Sequence, residues 1–390
     1  MDTRKPKHIL FLILISFFLC VAETIWAVEL KSFGQIIIKE EFDNNITFEA
    51  NKQKEDIVSI INPSLKLDYN TELLTLSSKI DLSAFRYAEE KALNTERKYF
   101  ETIGIYNLWE RLQIKGNCNV LKDTTLESEL EETGMADFRA DRKRFNMGTG
   151  LIYKSSTVSD VSFDLAYRST NYDNISYVDY DRISFSLYYN IQTKNQLNLF
   201  TVQPYFLNID SDLNKVKNNG LSLGWLHNFN KTSQLTTFIG VRYTKTRMEM
   251  EPQSNFDHNE WGIVTDINFL KTGELFSFKL GYNNDLGYNY YGETIQRERY
   301  SCILRTAIGH LLSASVSGDI YRTETEGQLS RTNRRYYHLK SVLRYKLTAK
   351  YILELGYSYG KQNNKKLEDP VFDRSRVWFV LNLNFPIIDR

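Results

Sequence analysis

From about residue 34 to residue 385 the chain alternates between apolar and polar residues with a period of two. Ile183, Phe185, Leu187, Tyr189 and Ile191 interleave with Arg182, Ser184, Ser186, Tyr188 and Asn190. Phe276, Phe278, Leu280 and Tyr282 do the same against Ser277, Lys279, Gly281 and Asn283. Such alternation gives a β-strand one apolar and one polar face. A soluble sandwich alternates too, so other features must decide. The segments run to roughly 10–15 residues, where soluble strands average about 5–6. Aromatic residues such as Trp225, Phe229, Tyr351, Tyr357 and Tyr359 collect near segment ends, and short connections alternate with long polar ones. These marks predict a transmembrane β-barrel, the sheet arrangement whose closed hydrogen bonding a bilayer tolerates.

Between Asp56 and Phe385 we count 17 strand segments, and the long connections include Ser211–Lys217 and Glu251–Asn259. Bacterial barrels usually have an even strand number with both termini periplasmic, so one further strand is expected at Gly34–Phe48. The expected fold is therefore all-β: a transmembrane antiparallel up-and-down β-barrel of about 18 strands, or about 16 if the poorly alternating Phe100–Asn119 contributes no hairpin. Ahead of it, Arg4, Lys5 and Lys7, the apolar run Ile9–Val21 and a small residue at Ala27 form a secretory signal pattern. The expected organisation is a signal peptide over 1–27 and a single barrel over 28–390, with no plug-sized segment of the kind a TonB-gated receptor needs. The last strand carries Val377, Phe379, Leu381, Leu383 and Phe385 on one face. It resembles the aromatic-terminated signal by which outer-membrane barrels are recognised for insertion, although Pro386–Arg390 follow it.

Composition narrows the function. Among 390 residues, 49 Lys+Arg balance 48 Asp+Glu, which removes the basic face a nucleic-acid protein needs. The 25 Tyr and 23 Phe oppose disorder. A mean hydropathy of -0.42 opposes a helical membrane bundle. Only Cys118 and Cys302 remain after the signal, on distant segments, so no disulfide framework is expected.

The stretch Glu41-Phe42-Asp43-Asn44-Asn45-Ile46, with Pro63-Ser64-Leu65-Lys66-Leu67-Asp68-Tyr69, resembles the opening of porin-type outer-membrane β-barrel proteins associated with exosortase/PEP-CTERM exopolysaccharide systems. The resemblance implies an outer-membrane location and a role in envelope or polysaccharide export, with polysaccharide-export proteins as partners. It supplies no catalytic residues. A Gram-negative outer-membrane barrel also implies contact with outer-membrane lipid and lipopolysaccharide, and with periplasmic chaperones and the barrel-assembly machinery.

The residues that could carry chemistry are few and scattered. His227, between Trp225 and Phe229, lacks a placed Ser for a lipid-face hydrolase, and His310 has Ser313 three residues on rather than across a ladder. Asp257-His258 would suit a rim protease but also an ordinary charged loop, and with Glu260 they form no closed metal set. Gly148, Gly150, Gly281 and Gly356 alternate with larger residues as in a curving wall and form no phosphate loop. No catalytic, cofactor or metal residue is assigned.

The informative side chains are those assigned inward: Lys66, Lys79, Lys115, Arg144, Arg168, Arg182, Arg242, Lys279, Arg305, Lys340, Arg344 and Lys346, against the acids Asp68, Asp81, Asp164, Asp266, Asp319 and Glu354. Facing lipid would cost an Arg or Lys about 2–4 kcal/mol at mid-bilayer. They brace the wall as ion pairs or form a basic lining that attracts anions. The third long connection, with Glu127, Glu129, Glu131 and Glu132, has Leu126/Leu130 at helical spacing. It either folds inward against Arg305, Lys340 and Arg344 as a constriction or stays a solvated surface loop. The functional expectation is a porin-like channel or export pore. A non-conducting component of an exopolysaccharide system and, from another class, a barrel hydrolase are the alternatives. The rhythm of connections makes a topological prediction: a tag at Lys231-Thr232 is periplasmic and one at Gln253-Ser254 is reached on intact cells, which reversed protease accessibility would refute.

Overall fold

The computed structural model describes residues 29–389, apart from 51, 127–129, 135–138, 175, 249–255, 291, 293, 326–332 and 365–370. The proposed signal segment lies outside the described residues. The strands are β1 (Glu29–Asp43), β2 (Asp56–Asn70), β3 (Leu74–Tyr87), β4 (Thr95–Trp109), β5 (Leu112–Thr124) and β6 (Asp141–Lys154). They continue with β7 (Ser159–Tyr172), β8 (Tyr180–Gln192), β9 (Asn198–Ser211), β10 (Asn214–Asn230), β11 (Ser233–Met248) and β12 (Phe256–Thr272). The last six are β13 (Phe276–Tyr288), β14 (Thr294–Ile308), β15 (Leu312–Thr325), β16 (Asn333–Lys346), β17 (Tyr351–Asn364) and β18 (Phe372–Asp389).

All 18 strands form one antiparallel sheet in sequence order, and β1 pairs with both β2 and β18, so the sheet closes on itself. Closure leaves no sheet edge at the terminal strands, which is what a backbone without water requires. Side chains on one parity of each strand point outward and are apolar. Leu221, Leu223, Val241 and Ile239, paired in register across β10 and β11, are all exposed. Among the described residues no helix is long and apolar enough to cross a membrane.

Three sequence expectations are corrected. β1 begins and ends five residues earlier than Gly34–Phe48, because Asn44 and Asn45 leave the ladder to cap neighbouring backbone: Asn45 Nδ2 donates to Asp373 O (2.8 Å) and Ser375 N donates to Asn44 Oδ1 (2.6 Å). The Ser211–Lys217 connection is a two-residue turn, since Asn214 already pairs with β11 and the Ser211 hydroxyl ties the turn to Asn214. The Pro386–Asp389 tail does not trail the last strand but continues it against β1, with a register shift between Ser32 and Phe33 where Pro386 enters. A proline cannot donate to a ladder, and an irregularity is where a strand accommodates one. Gly34 sits beneath Phe385 at this seam, where an added Cβ would lie 2.9 Å from the ring.

One part of the wall opens. The β12–β13 ladder runs only from Thr272↔Ser277 to Thr265↔Asn284, although β12 continues to Phe256 and β13 to Tyr288. Beyond that point β13 leans across the bore: Leu286 and Tyr288 join Leu207, Ile209 and Val216 in one buried cluster, and Tyr288 Oη donates to Asn214 Oδ1 (2.7 Å).

Close packing inside the wall is testable at Gly356, where a Cβ would run into the inward Trp378 indole. Gly356→Val is expected to cost about 1–3 kcal/mol through overpacking, read as a lower temperature for conversion of the folded to the unfolded band on heat-modifiable electrophoresis. An unchanged midpoint would contradict the packing.

Candidate functional site

The bore is polar because strand parity sends one polar face of the strands inward, and with it the charged side chains below the loop rim. Arg168 lies opposite Arg182 in register, Lys115 opposite Gly150, and Lys66 opposite Lys79. Arg242, Lys279, Arg305, Lys340, Arg344 and Lys346 stand on the same inward parity of their strands. Several are braced by acids on the same wall: Lys66 by Asp68 (2.7 Å), Lys79 by Asp81 (2.8 Å) and Arg344 by Glu354 (2.9 Å). The inward glycines give room to these groups. Gly148 faces Asn117, Gly150 faces Asp164 and Gly281 faces Ser301, each so close that a Cβ would clash.

At the rim carrying the long connections, the bore is narrowed by three inserts. The loop over 44–55 sends Phe48 in, fully buried and stacked on Phe372 at 5.7 Å. The loop over 125–140 carries the short helix α1 (Leu130–Thr133), and Leu126 and Leu130 join Phe48 with Tyr321 and Tyr336 from β15 and β16. Gly134 follows α1 at φ +73°, where an added Cβ would lie 2.6 Å from the Tyr321 Cβ, so a side chain would be both strained and obstructed. The third insert is the β13–β14 hairpin. Its Tyr290 is fully buried against Tyr177 (4.5 Å), and Val178 N donates to Tyr290 O (2.8 Å).

The acidic loop therefore folds inward, but not against the residues named from sequence. Glu132 accepts two hydrogen bonds from Arg144, at 3.0 and 2.7 Å, and lies 3.9 Å from Arg142. From across the bore, Arg297 donates to the Glu132 carbonyl at 2.8 Å. Arg305, Lys340 and Arg344 instead line a cavity of about 660 Å³ near the opposite rim, with Ser315, Ser317 and Glu354. The strand rise explains the correction: Arg297 and Arg305 are eight residues apart on β14, about 26 Å along the strand. Glu127 and Glu129 lie outside the described residues, as does the side chain of Glu131. Sequence reading placed Asp123 among the acids of this loop but missed Arg142, whose Nε (3.1 Å) and Nη2 (2.9 Å) bind the Asp123 carboxylate in a buried fork at the root of the loop. Their opposite charges in register across β5 and β6 were the available signal.

The candidates for catalysis are not assembled. His227 Nδ1 meets Asn198 Oδ1 at 2.8 Å on the outer face, between Trp225 and Phe229, and no hydroxyl completes the pair among the described residues. Asp257 and His258 are strand residues of β12 rather than a rim loop, so they point to opposite faces: Asp257 pairs with Lys245 outside, while His258 meets Glu260 inside. His310 occupies the β14–β15 turn. Among the described residues no three His, Cys, Asp or Glu side chains converge on a metal position.

Comparison with known proteins gives fold likeness only. No family model matches the chain, and no curated protein does. The solved structures that match include Pseudomonas aeruginosa OpdK with vanillate (9% identity, TM-score 0.48, covering 91% of this chain and 99% of that one). P. aeruginosa OccK2 (OpdF) in complex with glucuronate matches at 9% identity and TM-score 0.49, covering 92% and 98%. Acinetobacter baumannii OccAB4 matches at 12% and 0.46, covering 91% and 98%. At those TM-scores neither the ligands in their names nor any role of theirs transfers to this chain.

The latch on the inward loop has a pH dependence. Burial pushes the Glu132 carboxyl up, but the Arg144 hydrogen bonds and the charges of Arg144, Arg142 and Arg168 outweigh it and hold the group below its ordinary value. A lowered folded value means the latch is fully made above the ordinary glutamate pKa of about 4.3, and is lost as pH falls through the lower folded value. Single-channel conductance should therefore stay flat from pH 8 to about pH 5 and rise in more acid solution. Glu132→Gln should show the raised conductance at pH 7. Equal traces for the variant and parent at pH 7 would remove the latch.

Proposed function

We propose that the chain is an outer-membrane channel for small anionic solutes, entered past the inward loops and leading to the polar cavity at the short-turn rim. The reading is supported by the closed 18-strand barrel with an apolar exterior. Barrels of about 16 to 18 strands enclose an aqueous passage unless an insert blocks it. By the habit of bacterial barrels, short turns face the periplasm and long loops face outward, which sets the direction of entry.

The observation that carries anion preference is the arginine pair beside the inward loop. Arg168 and Arg182 stand directly opposite one another across β7 and β8. Like charges so placed destabilise an antiparallel pair. Arg168 donates to Asn146 (2.5 Å), a neutral partner, and Arg144 beside it is already engaged by Glu132. The site thus holds two guanidinium groups without a carboxylate hydrogen bond among the described residues, next to Arg297 on the far side of the loop. A passing carboxylate or phosphate supplies what the wall does not.

The exopolysaccharide association rests on the sequence resemblance alone. Its Asp43 and Asn45 serve the fold here: Asp43 pairs with Arg374 and Asn45 caps the first loop. A small-solute channel accounts for the basic narrowing without that association.

In planar bilayers under a salt gradient the folded protein should conduct with a reversal potential on the anion side. Each guanidinium in a wet site contributes about 1 kcal/mol, so Arg168→Ala should lower the anion-to-cation permeability ratio roughly fivefold, and Arg182→Ala likewise. A folded barrel that does not conduct would return the chain to the scaffold alternative, and cation preference would refute the substrate class.

A further inference from the structure

On the outer face, above the apolar belt, β10 and β11 present four exposed cations in two neighbouring outward rows: Lys215 opposite Arg247 and Lys217 opposite Lys245. Two like-charge pairs stacked directly across one ladder work against the sheet. Nearby acids offset this only in part. Asp257 takes Lys245 at 2.9 Å, and Asp210 lies opposite Lys215. Among the described residues Lys217 and Arg247 have no ion-pair partner.

A second row of like charges shows how the same barrel neutralises lysines when they serve the wall alone. Lys98, Lys122 and Lys143 lie opposite one another across β4, β5 and β6. Each has its own carboxylate: Glu96 at 3.2 Å, Asp141 at 3.8 Å and Asp173 at 3.4 Å. Among the described residues Lys217 and Arg247 lack that one-to-one compensation and leave positive charge facing out.

What lies beneath the patch specifies the ligand further. Asn259 shares a register row with Lys217 and Lys245, and the next row toward the belt carries Asn219 with Tyr243 and Trp261, whose rings are 5.1 Å apart. Next come Leu221, Leu223, Val241, Ile239 and Ile263, among which Leu223 is 60% and Ile263 59% exposed, with Trp261 at 72%. Lys217 and Leu221 are four residues apart, so the cations sit about 13 Å above the first of these aliphatic groups. Lys215 and Lys217 are about 7 Å apart along their strand and about 5 Å from their partners on β11, enough for a headgroup with more than one anionic oxygen cluster. The order from rim to belt is cation, then aromatic, then aliphatic, with an amide beside each of the first two.

We propose that this face of β10–β12 binds one molecule of a phosphorylated, multiply acylated sugar lipid of the outer leaflet, with lipid A as its chemical type. Its phosphates engage Lys217, Arg247 and their neighbours. Its sugar hydroxyls meet Asn219 and Asn259, and its acyl chains lie along the aliphatic surface below Trp261. The site rests on the outer-membrane reading with the long loops outward, because only then does the patch sit at the headgroup level of the outer leaflet. It is separate from the bore, since all four cations have the opposite strand parity to Arg242 and Thr244.

The test uses the full-length folded barrel in detergent, with bound lipid counted by native mass spectrometry. Bisphosphorylated lipid A should be retained, and dephosphorylated lipid A should bind weaker by on the order of tenfold. Phosphatidylglycerol and inorganic phosphate at equal concentration should not displace it. The pair K217Q/R247Q should weaken retention by on the order of tenfold, while K217R/R247K and the control pair K98Q/K122Q should bind as the parent. Equal binding of dephosphorylated lipid A, displacement by inorganic phosphate alone, or full retention by folded K217Q/R247Q each overturns the site. Should K217Q/R247Q fail to show heat-modifiable folding, the lipid series on the parent protein decides alone. Membrane fractionation separates the two readings. A barrel found in the outer membrane that ignores lipid A loses only this site, whereas one found elsewhere loses the location even if it binds lipid A in detergent.

Discussion

Pairing of β1 with β18 is the contact on which everything else in this molecule depends. A sheet in a bilayer has no solvent to satisfy an open edge, so the first and last strands must find each other before any face can be sorted into lipid and lumen. Thirteen register pairs from Lys31↔Asp389 to Asp43↔Arg376 make that closure. Its two ends are handled differently. At the short-turn end Pro386 enters through a register shift, and Gly34 lets the Phe385 ring lie over the β1 backbone. At the loop end Arg374 binds the buried Asp43, and Asn44 and Asn45 hold the start of the first loop to β18. Such a pair is weak evidence for net stability, yet removing one partner of a buried pair costs about 3–5 kcal/mol, so the arrangement penalises any slip of the seam.

Closure then decides where charge goes. With the outside apolar, polar positions of every strand turn into a shared aqueous space, where an Arg costs little and can meet an Asp two residues along. The wall uses this through Lys66–Asp68 and Lys79–Asp81, and across the β16–β17 ladder through Arg344–Glu354. Arg168 and Arg182 stand opposed without a carboxylate hydrogen bond among the described residues. On the outer face the same shortage at Lys217 and Arg247 lies above the most exposed aliphatic surface. A single rule, that like charges are not left opposed without a counterion, links both places to anionic ligands.

The inserts at the loop rim follow from packing rather than from the sheet. Phe48, Leu126 and Leu130 would be exposed apolar groups on solvent loops, and burying them against Tyr321 and Tyr336 removes them from water. The β13–β14 hairpin behaves likewise: it gives up its ladder to β12 beyond Thr265 and gains the cluster of Leu286 and Tyr288 with β9 and β10. Both moves narrow the bore, and the Arg142–Asp123 fork fixes the root of the loop that carries Glu132.

The sequence alone determined what is local. Alternation with period two assigns each residue a face, so the inward parity of Arg144, Arg168, Arg182 and Lys340 could be read from neighbours one and two positions away, and eighteen strands could be counted from turn rhythm. The spacing of Leu126 and Leu130 also hinted that they act together, and both enter one buried cluster. Tertiary structure alone decided which distant groups meet. Glu132 binds Arg144 of its own hairpin instead of Arg305, Lys340 or Arg344, because position along a tilted strand, which alternation does not encode, sets the depth of each charge. The departure of β13 from β12 was equally hidden. Leu286 alternates as an outward residue, and only the apolar floor formed by Leu207, Ile209 and Val216, about seventy to eighty residues earlier, makes it more stable to turn that face inward.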